Sequence, residues 1–110
     1  MDFKTKYATY RGCEFQTGRY CNGNLALQVV SETEGPKCIC SVNPGVQVPD
    51  DMLAIKDHSE NEGMVNILTE MGIIGERRAV IESGYVKIPV HALTEKGRAL
   101  FGFKEDVPTS

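Results

Sequence analysis

The sequence has no G-x-x-x-x-G-K-[ST] loop to cradle phosphates and no G-x-G-x-x-G dinucleotide fingerprint, so nucleotide chemistry lacks its usual glycine-rich anchor. No window approaches the ~20 consecutive apolar residues of a membrane-spanning helix. The opening "MDFKTKYATY" lacks the apolar run of a secretory leader. No membrane association is expected, and a cytoplasmic protein is. Histidine is scarce. Only His58 and His91 are available to activate a thiol, and no local signature ties either of them to one. His91 falls in an apolar strand pattern and is expected to be a satisfied structural residue, whereas His58 is expected to face solvent. No residue is assigned a catalytic role, the chain is read as non-enzymatic, and no cofactor is implied.

Cysteine occurs four times, but not in zinc order. Structural zinc sites favour C-x2-4-C knuckles, whose tight turn aims both sulfurs at one metal. Here seven residues separate Cys13 from Cys21, and Cys38 and Cys40 flank a single residue. On one extended strand Cys13 and Cys21 would stand about 25 Å apart at about 3.3 Å per residue, so only a turn between them would permit a disulfide. In a cytosolic chain all four are expected to be reduced. Cys38 and Cys40 share one face of a strand and read as small buried hydrophobes. No metal site is assigned.

What is present is an ordinary globular composition. The 110 residues are 41% apolar and 25% charged, enough for one domain with one core. That domain is expected over residues 1–104, with 1–18 as a separate basic strand or arm and 105–110 as a flexible tail. "FQTGRYC" and "NLALQVV" flank Asn22-Gly23, a strong hairpin signal, with a type I′ turn expected. Leu25, Leu27 and Val29 share one face of the second strand. After a turn at "TEGP", "KCICSVN" completes a three-stranded antiparallel meander, followed by a Pro-rich loop and a short strand at "MLAIKD". "SENEGMVNILTEMG" then switches to helical spacing, placing Met64, Ile67, Leu68 and Met71 on one face. Ser59 and Glu62 fit a capping box, and Gly72 stands where a helix ends. One packed helix is expected over about residues 60–71. "RAVIE" and "YVKIPVHAL" form a second hairpin, in which Pro89 places the latter strand near an edge or a bulge. "TEKGRALF" is a candidate final helical turn capped by Thr94 and weakened by Gly97. The fold class is α+β, mostly antiparallel hairpins with one packed helix.

Two motif resemblances fail on their own residues. "DHSENEGMVNIL" puts Asp57, Ser59 and Asn61 at the first, third and fifth positions of a calcium loop, yet Glu62 replaces the required Gly and Leu68 the bidentate Glu. "GIIGERR" has the outline of a G-x-x-G phosphate clamp, but its two central isoleucines suit burial.

Charge is more informative. Residues 50 to 76 hold Asp50, Asp51, Asp57, Glu60, Glu62, Glu70 and Glu76 against Lys56 alone. The bland reading is a solvated face that keeps the chain soluble. The sharper one is an acidic surface that steers and docks a basic protein partner. Residues 1 to 21 lean the other way, with Lys4, Lys6, Arg11 and Arg19 interleaved with Phe3, Tyr7 and Tyr10. Interleaved cations and aromatics suit nucleic acid, which they neutralise and stack upon.

The order of "YCNGNLALQVV", "SVN", a Pro-rich loop, "TEMGIIG" and "SGYVKIPVHAL" resembles an uncharacterised family of small proteins from conjugative elements, plasmids and phages. That family has a Y-x-N-G-N-L-A-L hairpin and an S-G-aromatic-x-x-x-P strand, and the resemblance covers about residues 19–93. It implies that Tyr20, Asn22, Gly23, Asn24, Leu25, Ala26, Leu27, Val42, Asn43, Ser83, Gly84, Tyr85 and Pro89 are fold determinants, as turn residues and core alternation, and that Cys21 is incidental. It also implies an accessory protein of a mobile element. Such proteins often work by stoichiometric binding, so an anti-defence inhibitor of the anti-CRISPR or anti-restriction type is expected. Its partner would be a Cas effector or a restriction enzyme, met by the acidic residues named above. The alternative is a nucleic-acid-binding regulator using Lys4, Lys6, Tyr7, Tyr10, Arg11 and Arg19. A homodimer through the edge of "YVKIPV" is a further expectation.

Overall fold

The computed structural model describes residues 2–5, 8–58 and 61–102. β1 (Phe3–Lys4) and β2 (Thr9–Tyr10) pair as a small antiparallel hairpin. β3 (Cys13–Arg19), β4 (Leu25–Ser31) and β5 (Gly35–Ile39) form the expected antiparallel meander. β6 (Met52–Ala54) precedes helix α1 (Met64–Glu70), strands β7 (Ile74–Ser83) and β8 (Val86–Leu93), and helix α2 (Glu95–Leu100). These last three strands make a second sheet in the order β6-β8-β7. The whole is α+β with predominantly antiparallel strands. No helix among the described residues is long and apolar enough to cross a membrane.

The two larger sheets are joined through residues 40–42. Cys40 N and Ser41 N both donate to Leu27 O, at 2.9 and 3.3 Å, while Val42 N donates to Ala54 O at 3.1 Å and Lys56 N to Cys40 O at 3.0 Å. One short segment therefore has β4 on one side and the β6 end on the other. Inward alternation then builds the core. Leu25, Leu27 and Val29 from β4 meet Leu53, Leu68 and Ile74, among others, with all of them removed from water. Phe3 is fully buried in the same cluster and stacks edge-to-face on Phe15 at 5.8 Å. A satellite cluster of Val48, Ala54, Ile88 and Val90 covers the other face of the second sheet.

The first hairpin forms where expected, with a different turn. Tyr20 N donates to Asn24 O and Gly23 N to Tyr20 O, both at 2.8 Å. Residues 21–23 thus make a three-residue loop that ends on a left-handed glycine, Gly23 at φ 89°, in place of a two-residue type I′ turn.

Helix α1 is shorter than the expected residues 60–71, and its start is built differently. Its N-cap is Gly63, with no side-chain cap hydrogen bond. The Asp57 carboxylate reaches across six residues to accept from Gly63 N at 2.7 Å and Val65 N at 3.1 Å. It supplies the negative charge and acceptors that a helix start needs. Ser59 of the expected capping box lies outside the described residues. The helix end matches the sequence signal. Gly72, at φ 76°, donates to Thr69 O and Ile73 N donates to Leu68 O, both at 3.0 Å, which is the Schellman pattern.

The last helix forms, so two helices are present where one packed helix was expected. Thr94 caps α2 by accepting from Gly97 N at 3.0 Å. Thr94 N also donates to Ile73 O at 3.1 Å, and Lys96 Nζ to Met71 O at 2.8 Å. The carbonyls of Met71 and Ile73, just past the end of α1, are thus bound by the start of α2. Gly97 does not weaken this helix; it permits the contact. A Cβ at Gly97 would lie 2.2 Å from Ile73 O.

The expected edge strand is a correction. β8 is the central strand of its sheet, paired with β6 over Val90–Ala92 and with β7 along its length. The edge is β7. Pro89 sits one residue beyond the last β6 pair, Ala54 with Val90; its carbonyl still accepts from Ile55 N at 3.0 Å, and its missing N–H falls at the end of the ladder on that side.

Gly97→Ala is expected to destabilise the fold by about 1–3 kcal/mol, as over-packing against backbone does. Gly18→Ala, with open space around it and no left-handed φ, should be neutral or slightly stabilising. Thermal unfolding of the two variants against the parent checks this.

Candidate functional site

The "NGN" corner is a polar clasp. Asn24 is 2% exposed, and every polar atom of its side chain is engaged. Its Nδ2 donates to Val46 O at 2.8 Å and to Asn43 Oδ1 at 3.2 Å, and its Oδ1 accepts from Val48 N at 2.8 Å. Asn22 Nδ2 donates to the same Asn43 oxygen at 3.1 Å, and Gln47 Nε2 to Asn22 O at 3.1 Å. The hairpin loop therefore holds the Pro-rich loop 43–48, and through it Val48 in the satellite cluster. Sequence reasoning treated Asn24 as a turn residue. Nothing in an isolated turn signal marks such an asparagine as buried.

The acidic residues do not form one continuous face. Asp50 and Asp51 lie exposed in the turn before β6, and Asp50 pairs with Arg19 at 3.2 Å. Asp57 is half-buried and engaged at the start of α1. Glu76 is on β7, 3.4 Å from Arg78. Glu60 lies outside the described residues. Glu62 and Glu70 are brought together with Asn66. Asn66 and Glu70, four residues apart, share one side of the helix, and Glu62 stands in the turn just before the Gly63 cap. With Lys4, Thr5 and Ile67 they line an open depression of about 430 Å³.

The basic N-terminal set is divided too. Phe3 is core and cannot stack on a base. Lys4 is on the rim of the α1 depression, Arg11 is exposed, and Arg19 is turned to Asp50 and Gly23 O. Lys6 and Tyr7 lie outside the described residues. Tyr10 is half-buried and lines a separate depression of about 330 Å³ with Lys37, Cys38 and Lys56. Lys37 is ion-paired with Glu34 and holds that carboxyl below its ordinary value through a hydrogen bond and its charge.

Cys13 and Cys40 are buried and Cys38 half-buried, while Cys21 is exposed in the loop. A hydrogen bond that the Cys40 thiol gives to Cys38, then burial, then charge repulsion from Cys38 push the Cys40 thiol up, so it stays protonated and unreactive. Cys38 Sγ donates to Asn61 Oδ1 at 3.6 Å. Among the described residues no group of three or more His, Cys, Asp and Glu side chains is arranged to hold a metal. His91 is buried, with Nδ1 2.9 Å from Gly75 O, which is the structural role expected. His58 does not simply face solvent. It is half-buried, and its Nδ1 has no hydrogen-bond partner among the described residues.

Asn24→Ala strands Val48 N and Val46 O and is expected to cost about 2 kcal/mol or more, read by urea unfolding together with faster amide exchange at Val48. Thiol alkylation of the native protein should modify Cys21 first, with Cys13 and Cys40 reacting only on unfolding; early modification of Cys40 would contradict its burial. No family model, curated protein or solved structure matches this chain.

Proposed function

We propose that this protein is a stoichiometric, non-catalytic inhibitor from a mobile element, which binds a host nucleic-acid-targeting protein such as a Cas effector or a restriction enzyme. The observation that carries the reading is the depression at the start of α1, lined by the exposed Glu62 just before the helix and by the exposed Asn66 and Glu70 on it. A protein that grips phosphate presents a basic surface, and the two carboxylates around this depression complement it. Such an inhibitor occupies the partner's phosphate-binding surface and competes with nucleic acid, with no bond made or broken. The acidic contacts steer the encounter and make it salt-sensitive. Asp50, Asp51 and Glu76 stand at other places on the surface and contribute as peripheral charges. The mobile-element origin rests on the sequence pattern from Tyr20 to Leu93 alone.

The test is affinity capture from nuclease-treated host lysate, followed by titration of the captured protein. A defence effector should co-purify near one-to-one. Glu62→Lys with Glu70→Lys should then weaken binding roughly ten-fold or more and flatten its salt dependence, the behaviour of complementary charges. Unchanged affinity in the double variant sinks the acidic docking face. Nucleic acid retained only when nuclease is omitted, with no protein captured, favours the regulator working through Lys4, Tyr10 and Arg11.

A further inference from the structure

The longest strand of the fold has one open flank. Among the described residues β7 pairs with β8 alone, and it is exposed along most of its ten residues. Sheet edges normally carry charges and irregularities that block further pairing, and the first part of β7 does. It holds Glu76, Arg77 and Arg78, and its register with β8 slips on both sides of Arg77. The second part does not. From Ala79 to Ser83 the ladder is regular, the residues are "AVIES", and Val80 is 43% exposed.

The backbone direction along this part follows from Pro89. Within an antiparallel ladder a residue's N–H and C=O point to the same side. Pro89 O accepts from Ile55 N at 3.0 Å, on the side away from β7, and Pro89 has no N–H. Val80 is directly opposite Pro89, so this is a non-hydrogen-bonded pair. Val80 therefore turns its N–H and C=O outward, and Glu82, two residues on, does the same. A regular strand can be added there.

We propose that the occupant of this edge is a second copy of the same chain, paired antiparallel through β7 about a two-fold axis at Ile81. In that register Val80 faces the partner's Glu82 and Glu82 faces the partner's Val80. Both outward pairs exchange their hydrogen bonds, and the two Ile81 side chains meet at the axis. Arg78 comes diagonal to the partner's Glu82, within reach of a long side chain. Tyr85, fully exposed in the turn that follows β7, lies beyond the paired segment. Charge selects against neighbouring registers. A pairing centred on Arg77 opposes that arginine to itself, and one centred on Ala79 sets Glu76 against the partner's Glu82. In the isolated chain Arg78 lies 3.4 Å from Glu76 as an exposed pair, a contact weak enough to be exchanged. The result is a six-stranded sheet continuous across both copies.

The experiment is sedimentation velocity on the full chain from about 5 to 500 μM, the range suited to a small, reversible interface. A monomer–dimer equilibrium is expected. Val80→Pro removes an outward N–H that the monomer does not use and should leave the far-UV circular dichroism unchanged while raising the dimer dissociation constant at least ten-fold. Glu82→Arg should weaken association, and adding Arg78→Glu should restore it. The proposal is overturned if the parent stays monomeric throughout, or if it associates and neither Val80→Pro nor Glu82→Arg changes that. If Val80→Pro loses its native spectrum, the charge exchange at 78 and 82 decides alone.

Discussion

Ser41 is the residue on which the two larger sheets depend. Its hydroxyl accepts from Leu27 N at 2.8 Å, where a backbone carbonyl would ordinarily stand, and its own N–H turns to Leu27 O. Its backbone bridges to Ile55 on the other side. A chain leaving β5 for β6 would otherwise strand Leu27 N in a water-free core, a costly arrangement. The serine lets the strand turn from one sheet to the other without that penalty. Tyr20 OH lies 3.0 Å from the same hydroxyl, so the hairpin corner and the junction are connected through one oxygen.

That arrangement explains why some of the fold was legible in the sequence and some was not. Local signals worked where the controlling atoms are local. Leu25, Leu27 and Val29 alternate into the core, and Gly72 ends α1 with the hydrogen bonds a C-terminal glycine implies. The failures have long-range causes. The start of α1 is fixed by Asp57, six residues before the first amide it caps and too far for a capping-box pattern to capture. Gly97 looked like a helix defect because its neighbour is Ile73 O, more than twenty positions away. Pro89 correctly announced a missing ladder bond, but not that the missing side was the short flank beside β6. The candidate site shows the same limit. The acidic tally along residues 50–76 was visible, but charge counted in sequence does not say which carboxylates are already engaged, and Asp57 and Asp50 both are.

The surface divides by function in a consistent way. Asn24, Ser41 and His91, polar groups inside the fold, each have named partners, and His58 Nδ1 is the exception among the described residues. Exposed charge gathers on the first part of β7, Glu62 and Glu70 stand at the two ends of α1, and Tyr85 projects from the hairpin end. A rigid body with preorganised polar interior contacts presents such side chains at fixed spacing, which reduces the ordering cost of any association. The proposed acidic contact and the proposed strand pairing use different parts of this surface, α1 and the outer flank of β7.

The Asn22-Gly23 corner also bears on the chemical lifetime of the chain. In an unfolded peptide this dipeptide is prone to cyclise, because the glycine nitrogen attacks the neighbouring carboxamide and releases ammonia. Here Gly23 N is bonded to Tyr20 O, and the Asn22 side chain is held by Asn43 and by Asn24 N. The nucleophile and the carboxamide are each committed elsewhere. Loosening the clasp would therefore start an irreversible clock at residue 22, adding a negative charge beside Asn43 and recording in covalent form how long the corner had been open.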